Sequence, residues 1–116
     1  MALRYMDNLK NDKYYFEKVI NDIDAIEKYF GNKAYEEFIA DPMMIDAIMF
    51  RLVQLIENIK KISLEFKDAH PNIEWGNIMG FRNGIVHEYA KTDYTIVYDV
   101  VSKDLLELRN LILQYL

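Results

Sequence analysis

The residues with most chemistry in this chain stand together: Phe81-Arg82-Asn83-Gly84-Ile85-Val86-His87-Glu88-Tyr89. An arginine, an amide, one of only two histidines and a tyrosine fall within a mostly apolar segment. A guanidinium is permanently charged and grips phosphate oxygens bidentately, while an imidazole titrates near neutrality and moves a proton. Arg82 and His87 therefore suit chemistry at a phosphodiester. Cleavage of RNA by its own 2′-OH needs no metal. A base takes the hydroxyl proton, the oxygen attacks the adjacent phosphorus, and an acid protonates the leaving 5′ oxygen. His87 would make one of those transfers, Arg82 would bind charge growing on the non-bridging oxygens, and Asn83 would orient His87 or the phosphate. The expected products are a 2′,3′-cyclic phosphate and a 5′-hydroxyl, and DNA is not a substrate by this route.

Helix geometry constrains how these groups meet. At about 100° per residue, Asn83 and His87 share a face, whereas Arg82 and His87 lie about 140° apart. The reach of the Arg side chain, a local distortion near Gly84, or a second subunit would bring them to one phosphate. This favours a cleft lined by two copies of the helix in a homodimer, with Gly80 and Gly84 leaving a smooth patch for close approach. Taken alone, Arg-Asn-x3-His in a helical protein is more often a solvated or structural set than a catalytic one. Tyr89 alone reads as an amphipathic boundary residue, His70 as an exposed loop residue before Pro71, and Arg51 and Glu57 as solvated charges on a helix rim. Two histidines 17 positions apart and no cysteine argue against a transition-metal site, so neither metal nor cofactor is expected.

The elements that must carry these residues are helical. Phe16, Val19, Ile20, Ile23, Ile26 and Phe30 recur at steps of three and four, which predicts a helix with one buried stripe. Gly31-Asn32 ends it, and residues 33–40 would add two turns. Asp41-Pro42 reads as N-cap and first helical position. The seam Ile45, Ile48, Leu52, Leu55, Ile59, Ile62 and Phe66 then predicts one helix to Phe66, broken by residues 68–72 with Pro71. A third long element, from about Trp75 to Tyr89, carries the reactive group. Val97, Val100, Val101, Leu108, Leu111, Ile112 and Tyr115 mark the last helix. All 116 residues form a single domain, an all-α up-down bundle of four main helices with one short extra.

Composition sets further bounds. Apolar residues make up 52% of the chain, enough for a full core, and the four Gly and two Pro are too few for a turn-rich β fold. With 14 basic and 19 acidic side chains the net charge is −5, unlike a protein that coats nucleic acid through phosphate neutralisation. An enzyme that engages one scissile phosphate needs only a local positive site. Met1 to Asp7 has no long apolar run behind a basic cluster, so no secretory signal is expected. No stretch approaches the ~20 apolar residues of a membrane span, and the expected location is the cytoplasm.

Beyond its local chemistry, Arg-Asn-x3-His-x-Tyr resembles the signature of the HEPN superfamily, and more narrowly of HepT-like ribonuclease toxins. The resemblance extends along the chain through Val19-Ile20-Asn21-Asp22-Ile23, Arg51 with Glu57 six residues on, Pro71-Asn72-Ile73 with Trp75, and Gly80 through Tyr89. Departures are Ile56 where Gly is usual, Asn58 where Ala is common, and Ala90-Lys91-Thr92-Asp93 in place of a loop with an aromatic and Gly. The resemblance implies a HEPN-type four-helix bundle and RNase residues Arg82 and His87, assisted by Asn83. It also implies a cognate minimal nucleotidyltransferase antitoxin that silences the toxin by attaching AMP to Tyr89. The alternative is a non-catalytic helper that binds a nucleotide or substrate for a nucleotidyltransferase.

Overall fold

The computed structural model describes residues 2–116, with side chains from Asn11 onward; the pattern of Met1 to Asp7 read for a secretory signal lies largely outside these. The chain is helical throughout, with no strand among the described residues. Helix α1 (Ala2–Phe30) buries Phe16, Val19, Ile20, Ile23, Ile26 and Phe30, the stripe its periodicity predicts. It stops where expected, because Gly31 and Asn32 both take left-handed φ, +58° and 54°, a conformation favoured in Gly and tolerated in Asn. A short α2 (Tyr35–Ile39) follows, and α3 (Pro42–Lys60) begins at the predicted cap. There the Met44 amide donates to Asp41 Oδ1 at 3.1 Å.

The unbroken helix to Phe66 does not form. Helix α3 ends at Lys60, and a separate α4 (Leu64–Ala69) starts at Ser63. The cause lies 51 residues away in α1. Asp12, only 2% exposed, accepts from the Ser63 amide at 2.8 Å and from its hydroxyl at 2.6 Å. The same Ser63 Oγ accepts from the Phe66 amide at 3.2 Å, capping α4. Ile62 and Phe66 stay buried, so the hydrophobic seam survives the break. Lys67, itself buried, donates to the Lys60 carbonyl at 3.3 Å, where α3 leaves last-turn acceptors open, and burial pushes its ammonium pKa down.

His70 is not the free loop residue expected. Nδ1 lies 2.8 Å from the Phe66 carbonyl and Nε2 2.8 Å from the Tyr115 hydroxyl, while its own carbonyl accepts from Trp75 Nε1 at 3.0 Å. It ties α4, the next helix and the C-terminal segment together. Helix α5 (Trp75–His87) leads into a 3₁₀ turn (Tyr89–Lys91). The last rod is α6 (Tyr94–Asp99), a π-helical turn (Val100–Asp104) and α7 (Leu105–Leu113), which together bury Val97, Val101, Leu105, Leu108 and Ile112.

Paired contacts give the helix directions. Asp12 meets Ser63, while Asp22 meets Arg51 and Asn58, so α1 and α3 run antiparallel. Glu57 meets Arg82 and Asp46 meets Tyr89, which sets α5 antiparallel to α3. Asp24 meets Arg109 and Phe16 meets Tyr115, which does the same for α1 and the last rod. The result is the all-α bundle read from sequence, with two short extra helices in place of one.

Both mid-chain departures have structural consequences. Asn58 donates to the buried Asp22 at 3.0 Å, beside Arg51 at 3.3 Å, giving a buried carboxylate the partners it requires. Ile56 is fully buried and lines a cavity of about 330 Å³ between α3, α5 and the last rod. Among the described residues, no helix is long and apolar enough to cross a membrane.

Candidate active site

Arg82 and His87 both belong to α5, which runs without interruption through Gly84. No positive φ occurs at Gly84. The distortion that would turn the two side chains together is absent, and a continuous helix keeps their separation near the ideal 140°. Arg82 faces α3. Its Nε lies 2.9 Å from Glu57 Oε1, with the two side chains 30% and 44% exposed. The oxygen sits off the N–H direction, so the contact is a charge pair without a directed hydrogen bond. Among the described residues, Arg82 Nε is buried and makes no hydrogen bond.

Glu57 and Arg51 are thus not the freely solvated rim charges expected. Glu57 pairs with Arg82 and, at 3.5 Å, with Lys60. Arg51 reaches Asp22 and, at 3.4 Å, the Tyr29 hydroxyl.

Asn83 is exposed, as is His87 at the last position of α5. Neither side chain makes a hydrogen bond with protein among the described residues. One chain therefore leaves the imidazole in solvent and turns the guanidinium stem toward α3. The glycines of α5 form an open line, with no atom beyond their own chain neighbours and helix backbone within 4 Å of where a Cβ would stand on Gly76, Gly80 or Gly84.

Tyr89 lies just past the helix, at the start of the 3₁₀ turn, so an α-helical angle from His87 does not describe it. Its hydroxyl donates to the Asp46 carboxylate in the first turns of α3. Burial pushes the phenol up to about 12, the hydrogen bond and negative charge of Asp46 adding to the shift and Tyr94 contributing least. A shallow groove beside it is lined by Met49, Phe50, Val53 and Ile85. Asp46 and the Glu57–Arg82 pairing carry no signal in the sequence, because they depend on the register of α3 against α5. The i, i+3 and i+4 pattern of each helix is the only local trace of that register.

Proteins of several organisms are similar to this chain over most of its length. A protein named as a putative RNase in Caldanaerobacter subterraneus subsp. tengcongensis is 26% identical over 102 residues, covering 88% of this chain and 91% of that protein. A probable ribonuclease HepT of Thermococcus cleftensis is 27% identical over 101 residues, 87% of this chain and 92% of its own. In Methanocaldococcus jannaschii, a gamma-glutamylcyclotransferase and putative RNase is 28% identical over 105 residues, 90% of this chain but 47% of that longer protein. No solved structure matches. The Ribonuclease HepT-like family matches residues 19–115, a span that takes in α3, the whole of α5 and Tyr89, and the chain belongs to that family.

Proposed function

We propose that this protein is a metal-independent RNA endonuclease toxin in which Arg82, His87 and Asn83 cleave RNA by attack of the 2′-OH. The observation that carries the reading is the state of Arg82. Glu57 pairs with it at Nε, and in this reading its terminal nitrogens take the phosphate, as stabilisation of a pentacoordinate phosphorane requires. His87, exposed and unpaired with protein, is available to move the proton. Asn83, one turn back on the same face, orients the imidazole or the phosphate.

The working unit in this reading is a homodimer with α5 at the two-fold axis. The continuous helix keeps Arg82 and His87 on different faces, so a second copy best supplies the complementary group. The open line of Gly76, Gly80 and Gly84 supports close approach of that copy. Control in this reading comes from a cognate minimal nucleotidyltransferase that attaches AMP to Tyr89. The nucleotide would add negative charge and bulk beside Arg82 and exclude RNA.

The helper alternative is less well supported. The cavity behind α5 that would have to hold the nucleotide is lined by the carboxyl groups of Glu74, Asp104 and Glu107, which disfavour phosphate. The test is induced expression of wild type, Arg82→Ala and His87→Ala with RNA integrity and growth followed together. Only wild type should degrade RNA and arrest growth; arrest by either variant would contradict the proposal.

A further inference from the structure

We propose that Asp46 is the base that takes the phenolic proton of Tyr89 when that tyrosine is adenylylated. The inference rests on the adenylylation reading above and assigns part of that reaction's machinery to the toxin itself. Asp46 and Tyr89 are 43 residues apart in sequence, yet the antiparallel packing of α3 and α5 brings the carboxylate onto the hydroxyl. The pair stands at the edge of the open groove floored by Met49, Phe50, Val53 and Ile85. Tyr89 is 38% exposed and Phe50 66%, so a nucleoside triphosphate held by a transferase has a path to the oxygen.

In the step, a bond forms between Tyr89 Oη and the α-phosphorus of the nucleoside triphosphate, the α–β phosphoanhydride bond breaks, and pyrophosphate leaves. The proton passes to an Asp46 carboxylate oxygen as the new bond forms, and then to water. A phenol held up to about 12 is ionised to only on the order of 10⁻⁵ at pH 7. Attack by preformed phenolate is therefore slow, and concerted removal of the proton is what the neighbouring carboxylate supplies. Tyr94 is the other ionisable group that acts on the phenol, and a phenolic hydroxyl is a far poorer proton acceptor than a carboxylate.

The test combines the full-length protein, the minimal nucleotidyltransferase paired with it, and magnesium ATP, with initial rates of AMP addition read by intact mass between pH 6.5 and pH 9.5. We expect no addition to Tyr89→Phe. Asp46→Asn should be modified about 10²-fold more slowly at pH 7, its deficit shrinking as pH rises and hydroxide ionises the phenol. Asp46→Glu should recover most of the rate. Co-elution with the transferase should be the same for Asp46→Asn and wild type. A wild-type or faster rate for Asp46→Asn, a deficit constant with pH, or lost co-elution would overturn the role of Asp46 while leaving Tyr89 as the modified residue. Absence of AMP on wild type, or its persistence on Tyr89→Phe, would overturn the adenylylation reading as well.

Discussion

Glu57→Ala should separate stability from activity. The Glu57–Arg82 pair is a partly exposed contact at 2.9 Å, with side chains 30% and 44% exposed and no directed hydrogen bond. Pairs of this kind contribute about 0.2–1 kcal/mol, so the variant should melt no more than about 5 °C below wild type. The effect on catalysis is larger for a geometric reason. Without Glu57 the guanidinium loses the contact that aims its terminal nitrogens, and a misplacement of about 1 Å at a reacting centre costs on the order of 10²-fold. Steady-state cleavage of a defined RNA should show kcat falling about 10- to 10²-fold, with a smaller change in KM. In the double variant, Glu57→Ala should add little to Arg82→Ala, because one acts through the other. A Glu57→Ala enzyme within twofold of wild-type kcat, or additive losses in the double variant, would refute the assignment.

The remaining predictions concern the frame, the tyrosine and the assembly. Asp12→Ala removes two charged-acceptor hydrogen bonds from Ser63 and should cost about 3 kcal/mol in urea unfolding, and Ser63→Ala, which keeps the amide bond but loses both the hydroxyl bond to Asp12 and the cap, should cost about 2 kcal/mol. Because folding raises the Tyr89 pKa to about 12 from an ordinary value near 10, its stabilising contribution is full below about pH 10 and lost as pH climbs through about 12. Phenolate absorbance should accordingly lose its highest-pH step in Tyr89→Phe, and that step should move to lower pH in Asp46→Asn; an unchanged titration in either variant would contradict the contact. Light scattering at micromolar concentration should report a dimer, and Gly80→Leu, which fills the open line on α5, should shift it to monomer without unfolding; a wild-type monomer would count against the two-copy cleft.

Much of the fold was legible because its signals are local. The Gly31-Asn32 stop, the Asp41-Pro42 start and the three–four spacing of Ile45 through Ile59 each depend on neighbours within a turn or two, and each appears where expected. The break at residues 61–63 was hidden for the opposite reason. Ile59, Ile62 and Phe66 keep helical spacing across it, no Gly or Pro marks it, and the acceptor that opens the chain is Asp12 in another helix. The role of His70 is hidden likewise, since its partner Tyr115 lies 45 residues on. At the site, the side-chain types of Arg82, Asn83 and His87 suggest chemistry at a phosphodiester, whereas the role of Tyr89 comes only with the family resemblance. What holds Arg82 and Tyr89, namely Glu57 and Asp46, emerges only when α3 and α5 pack in one register.

The most direct measurement is end-group analysis of RNA treated with purified wild type, Arg82→Ala and His87→Ala in the presence of a metal chelator. Wild type should leave 2′,3′-cyclic phosphate and 5′-hydroxyl ends, while both variants keep the wild-type helical signal and cleave at least 10³-fold more slowly, the range expected for loss of a transition-state charge partner or a proton-transfer group. Cleavage by either variant at the wild-type rate, abolition of wild-type cleavage by the chelator, or 3′-hydroxyl products would contradict the proposed site and its chemistry.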